Sequence, residues 1–125
     1  RGLYVKGDFT VPERQKGVRG LYVFSSPDGL NWKLLSESPV ITDGAFDSQN
    51  IAFWDAALKR YLLFTRKWPG NFRVHRRLDS KDLIHWTNEV VVMRADGTDL
   101  AKYKSAARVQ PVDYYGADVF RYSEA

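Results

Sequence analysis

A seven-residue motif occurs twice, and it constrains the fold more than any other feature of the chain. Ser26-Pro27-Asp28-Gly29-Leu30-Asn31-Trp32 returns 54 residues later as Ser80-Lys81-Asp82-Leu83-Ile84-His85-Trp86. Ser, Asp and Trp keep one register between the two copies. In such a stretch the Asp carboxylate can accept hydrogen bonds from backbone N–H groups two residues on, making an Asx-turn. Gly29 gives a permissive backbone where the turn needs one, and Trp32 and Trp86 bring large apolar area to the edge of the unit. Every element of the motif has a structural task, so neither Asp28 nor Asp82 is read as catalytic.

The flanks repeat too. Leu3-Tyr4-Val5-Lys6 and Gly20-Leu21-Tyr22-Val23-Phe24 precede the first motif; Tyr61-Leu62-Leu63-Phe64 and Phe72-Arg73-Val74-His75-Arg76 precede the second. Both series read as strand, turn, strand and then the Ser-x-Asp turn. A short apolar run follows each Trp, Val40-Ile41 in one unit and Val90-Val91-Val92-Met93 in the other. Phe46-Asp47-Ser48-Gln49-Asn50 then opens a new strand, Ile51-Ala52-Phe53-Trp54, and Tyr103-Lys104-Ser105 repeats its aromatic-x-Ser start 57 residues further on. The unit is four short strands in about 55 residues, near the roughly 40–50 of a β-propeller blade.

The expected fold is therefore all-β, made of four-stranded antiparallel blades. The units run over about 1–43, 44–98 and 99–125, two and a half blades of an incomplete propeller in a single partial domain. No segment carries a helical apolar period. The nearest, Asp99-Leu100-Ala101-Lys102-Tyr103, is too short to propagate alone. A lone blade cannot bury both its faces, so blades stack radially. The chain opens at Arg1 and is read as cut from something longer.

Composition excludes several classes of function. There is no cysteine, which removes disulfides, thiolate metal sites and Cys nucleophiles together. No apolar run reaches the ~18 residues of a membrane-spanning helix. The net charge of +4 raises the question of an anionic partner, but 19 Lys and Arg are interspersed with 15 Asp and Glu. In the one dense basic stretch, Arg73-Val74-His75-Arg76-Arg77, strand alternation splits the charges between two faces. Nucleic acid is not the expected partner. His75 and His85 have no ligand spacing and read as surface residues. No calcium loop or phosphate-binding glycine loop is present, so neither a metal nor another cofactor is expected.

Three stretches carry a resemblance: Ser26 to Trp32, Phe46-Asp47-Ser48-Gln49-Asn50-Ile51-Ala52-Phe53-Trp54-Asp55, and Arg60-Tyr61-Leu62-Leu63-Phe64-Thr65-Arg66. Together they resemble bacterial five-bladed β-propellers of the glycoside hydrolase family 32-like or 43-like type. The likeness spans nearly the whole chain, through motifs that belong mainly to the blade scaffold. Sialidases carry a related box with one more residue between Asp and Trp, a likeness of architecture only.

The resemblance implies a protein acting on the glycosidic bonds of an oligo- or polysaccharide. In hydrolases of this fold three carboxylates project into a central funnel from different blades, and two must flank the bond that breaks. Asp47 stands where the family-43 pattern places its supporting Asp. The first-blade Asp would lie upstream of Arg1. The acid Glu would be expected within Tyr103 to Pro111, where no carboxylate stands and Gln110 precedes Pro111. Asn50, at the start of the same strand, is expected to face the funnel. Arg66 and Trp68 are the other candidate substrate contacts, since a guanidinium near an aromatic ring suits sugar hydroxyls or a carboxylated sugar. Against these stand plain structural roles: Asp47 as a turn residue, and Trp68-Pro69-Gly70-Asn71 as a hairpin loop. The competing functions are a sugar-binding propeller without catalysis and an interaction scaffold, because fold alone does not fix function. Oligomeric state and location are not specified by these residues, although proteins of this type are often secreted or periplasmic.

Overall fold

The computed structural model describes residues 2–6, 18–70, 72–103, 113–120 and 122. The fold is mostly β: two antiparallel sheets and one short helix. Strands β1 (Gly2–Lys6), β2 (Tyr22–Ser26) and β3 (Lys33–Leu34) form the first sheet in that order. Strands β4 (Ile51–Asp55), β5 (Arg60–Lys67), β6 (Val74–Ser80) and β7 (Thr87–Met93) form the second, a four-stranded meander. The second unit therefore has the four strands expected of it.

The first unit departs from expectation. Val40-Ile41 makes no strand and contributes only a bridge, with Leu21 N–H donating to the Ile41 carbonyl at 2.8 Å and Val40 N–H to that of Leu21 at 2.8 Å. Pro39 just before it has no N–H to extend a ladder. It also lies so close to Gly20 that any Cβ there would come within 2.5 Å of the Pro39 Cβ. Backbone packing, not a ladder, holds this corner.

The duplicated motif folds identically in both copies. Asp28 accepts from Leu30 and Asn31 N–H at 2.8 Å each, and Asp82 from Ile84 at 2.9 Å and His85 at 2.8 Å. Each Ser hydroxyl binds its Asp, and each indole N–H caps a turn carbonyl at 3.0 Å, Trp32 on Gly29 and Trp86 on Leu83. Backbone and side-chain donation by Asn31 holds the Asp28 carboxyl well below its usual range, and His85 does the same for Asp82. Gly29 sits at φ 79° and its counterpart Leu83 at φ 70°. Left-handed backbone is unfavourable for a bulky residue. Leu83 nevertheless is buried at 8 % exposure, so its side chain returns apolar burial that Gly29 cannot. Asp82→Ala strands the Ile84 and His85 N–H groups and is expected to lower stability, as loss of a cap does. Chemical denaturation measures it, and a loss near zero would mean that Ser80 and Trp86 hold the turn without it.

The core forms where the Leu21–Ile41 bridge packs on one face of the second sheet. Leu63 and Leu78 stand opposite each other on β5 and β6, hence on one face. With Leu21, Ile41 and Phe46 they make the buried cluster, and Val40, Ala52 and Trp86 pack against it. On the same face Arg76, with no exposed surface, directs its guanidinium to Asp43 at 3.1 Å and Glu89 at 2.6 Å. Lys67 joins them, 2.9 Å from Asp43 and 3.0 Å from Glu89. The basic stretch of β6 is thus not a solvated patch.

Helix α1 (Gly97–Tyr103) is an element the sequence reading left out. Its start supplies what its length lacks. The Asp96 carboxylate accepts from Thr98 N–H at 2.8 Å and Asp99 N–H at 3.2 Å, while Asp99 accepts from Asp96 N–H at 3.0 Å. That is a reciprocal capping box. No helix among the described residues is long and apolar enough to cross a membrane. Of the third unit, expected over about 99–125, residues 104–112, 121 and 123–125 lie outside the described residues, Gln110 and Pro111 among them.

Candidate functional site

Asp47, Asn50, Arg66 and Trp68 gather at one end of the second sheet, where the loop before β4 meets the end of β5. Asn50 ties the loop. Its amide donates to the carbonyls of Phe46 at 3.1 Å and Ser48 at 2.8 Å, and its oxygen accepts from the buried Thr65 hydroxyl at 2.6 Å. All of its polar atoms are engaged within the fold. Its place is therefore a brace for the loop that carries Asp47.

Arg66 is 1 % exposed. Its carbonyl accepts from Ala45 N–H at 3.1 Å, which anchors the other end of the same loop. Its guanidinium donates to Asp47 at 2.5 Å and to the Tyr115 carbonyl at 3.1 Å, with the Tyr115 ring 4.8 Å away. The Asp47 side chain itself is 59 % exposed. A buried cation thus holds an outward-facing carboxylate in a fixed place.

Trp68 enters through Arg73, a residue that sequence reasoning did not single out for this site. The Arg73 guanidinium lies 4.3 Å from the Trp68 ring and 5.2 Å from that of Tyr115. Asp113 fixes it, accepting from the Arg73 backbone N–H at 2.7 Å and from its guanidinium at 2.6 Å. Trp68 remains 45 % exposed and Tyr115 61 %.

The segment 113–118 forms a strap across this end of the sheet. Besides Asp113 and Tyr115, the Tyr114 carbonyl sits 3.0 Å from His75 Nε2, and Asp118 accepts from the Gln49 amide at 2.7 Å. His75 is only 6 % exposed. That corrects its reading as a surface residue: opposite Arg66 in the β5–β6 register it belongs to the strap's seat. His85 is exposed and pairs with Asp82 at 2.7 Å. Alternation along β6 already puts Arg73 and His75 on one face. The partner strap is separated from them by about forty residues, and no local pattern announces it.

Chemically, the end of the sheet offers a fixed carboxylate, two aromatic rings open to solvent and guanidinium groups bound from behind. Among the described residues no three His, Cys, Asp or Glu side chains gather as a metal site. Compared with family models, with curated proteins and with solved structures, the chain matches none.

Proposed function

We propose that this chain is part of a β-propeller of the glycoside hydrolase family 32/43-like type, and that it engages carbohydrate at the Asp47 end of its second sheet. The observation that carries the reading is the Asp47 carboxylate, fixed by buried Arg66 and flanked by the exposed rings of Tyr115 and Trp68. Aromatic faces pack on the C–H faces of sugar rings, and a fixed carboxylate accepts from their hydroxyls. In the four-stranded second unit β4 follows directly on the Asp47 loop, the placement that a blade's innermost strand requires.

Within a hydrolase Asp47 would be the supporting carboxylate, with its position fixed by Arg66. Hydrolysis needs two further acidic groups. Asp113 does not supply one, since both its oxygens are engaged by Arg73. That engagement favours a second reading, a propeller that binds sugar without cleaving it.

A screen of polysaccharides for released reducing sugar, run beside Asp47→Asn, separates them. The hydrolase reading expects release that falls by about 10² or more in the variant. Saturable binding without release, weakened by the variant, supports the binding reading. Neither release nor binding leaves an interaction scaffold and overturns both.

A further inference from the structure

We infer that the strap 113–118 sets the direction of the Asp47 carboxylate, and that Asp113 is the positioning residue that latches the strap. This rests on the carbohydrate reading for what the site holds, and adds what governs the site. The groups touch in turn from latch to carboxylate. Asp113 accepts from the Arg73 backbone N–H at 2.7 Å and from its guanidinium at 2.6 Å. Two residues on, the Tyr115 carbonyl accepts from Arg66 Nη1 at 3.1 Å, and Arg66 Nη2 donates to Asp47 at 2.5 Å. A guanidinium is a planar, rigid fork. Holding one of its nitrogens on the strap therefore aims the other at Asp47. The Tyr115 ring adds a further contact, 4.8 Å from the Arg66 guanidinium and 5.2 Å from that of Arg73.

The strap's seat is separate from the core. Leu63 and Leu78, opposite each other on β5 and β6, belong to the buried cluster. Arg66 and His75 form the opposite pair three residues further along, hence on the other face of the sheet. Both are buried there, and both donate to the strap, Arg66 to the Tyr115 carbonyl and His75 Nε2 to that of Tyr114. The strap's own hold is polar: every residue from 113 to 118 is half-buried or exposed. A segment tied by polar contacts, with few buried apolar ones, opens at lower free energy than the whole fold. Among its ties the Arg73–Asp113 pair joins opposite charges at 24 % and 13 % exposure, which makes it the strongest. Releasing that pair loosens the strap, frees Arg66 from Tyr115 and leaves Asp47 without a fixed direction, while Leu63 and Leu78 stay packed.

Asp113→Ala in the full chain tests this, beside Asp113→Asn, which keeps an acceptor for the Arg73 N–H and removes the charge. NMR of the Arg66 side chain is the first reading. Its Nη signals, held apart while both bonds last, are expected to average in Asp113→Ala and to lie between the two states in Asp113→Asn. The urea midpoint is expected to stay at the parent value, and the Leu63 and Leu78 amides to keep their exchange protection. Binding of xylo-, cello- and malto-oligosaccharides is the second reading. Asp113→Ala is expected to weaken it by about tenfold, but by less than about twofold when made on Asp47→Asn, because both changes act through one carboxylate. Unchanged Arg66 signals, or losses that add in the double variant, overturn the inference. A lower urea midpoint with lost Leu63 protection does so too, since the strap would then belong to the core's cooperative unit. If the parent binds no oligosaccharide, the carbohydrate reading falls, and the Arg66 signals alone decide whether the strap sets Asp47.

Discussion

Removing both counter-charges of Arg76, as Asp43→Asn with Glu89→Gln, is expected to lower folding stability by about 3 kcal/mol. Arg76 has no exposed surface, and its guanidinium donates to both carboxylates and to the Asp43 backbone carbonyl. Neutral amides preserve the shape but leave a buried cation with only dipoles around it. Breaking a buried pair in this way costs about 3–5 kcal/mol. The low end applies because the Asp43 side chain is 60 % exposed and that of Glu89 35 %, so water screens part of the interaction. Arg76→Met is the informative contrast. It removes the buried charge together with its bonds, and should cost less than the double substitution. Urea unfolding of both variants decides the matter: a double variant within about 1 kcal/mol of the parent would show that Arg76 keeps enough water to need no counter-charge.

The same cluster sets an acid limit. For Asp43 and Glu89 burial pushes the carboxyls up, but the hydrogen bonds and charges of Arg76 and Lys67 outweigh it and hold both below their usual range. A carboxyl with a lower pKa folded than unfolded adds stability that is present above its unfolded value. That stability disappears as pH falls through the folded one. Stability should therefore decline as pH drops below about 4, and the double variant should show a flatter decline over that window.

The turns and strands were legible because their causes are local. Ser26 to Trp32 and Ser80 to Trp86 complete their hydrogen bonds within the motif, so residue identity alone sets their geometry. The four strands of the second unit follow from alternation between such turns. Val40-Ile41 misled because the apolar run is real but its backbone is committed to a corner built by Pro39 and Gly20. Helix α1 was missed by weighing length and overlooking Asp96 and Asp99, whose spacing is itself a start signal. At the candidate site Asp47 and Arg66 could be named from the sequence, and they touch. Arg73, Asp113 and Tyr115 could not be, because their association comes from a strap that returns to the sheet through tertiary contacts alone.

Phe46→Ala is expected to cost about 3–5 kcal/mol, the range for removing a large side chain from a filled core. Phe46 is 1 % exposed and packs among Leu21, Ile41, Leu63 and Leu78, so it joins the Leu21–Ile41 corner to the second sheet. Its neighbours cannot easily close the gap. Ala45 on one side is pinned to the Arg66 carbonyl, and the Phe46 carbonyl on the other is held by Asn50. The substitution also reaches the site, because Asp47 is the next residue and depends on the same anchors. Loss of the proposed carbohydrate binding in Phe46→Ala, under conditions where the variant is still folded, would show that core packing positions the Asp47 carboxylate. Phe46→Leu fills most of the space and is expected to lose less than half as much stability while keeping binding near the parent level. Should Phe46→Ala lose under about 1 kcal/mol, the loop that carries Asp43 and Phe46 must be held to the second sheet mainly by the Arg76 cluster, and the larger share of the stability there would then lie in buried charge and not in apolar contact.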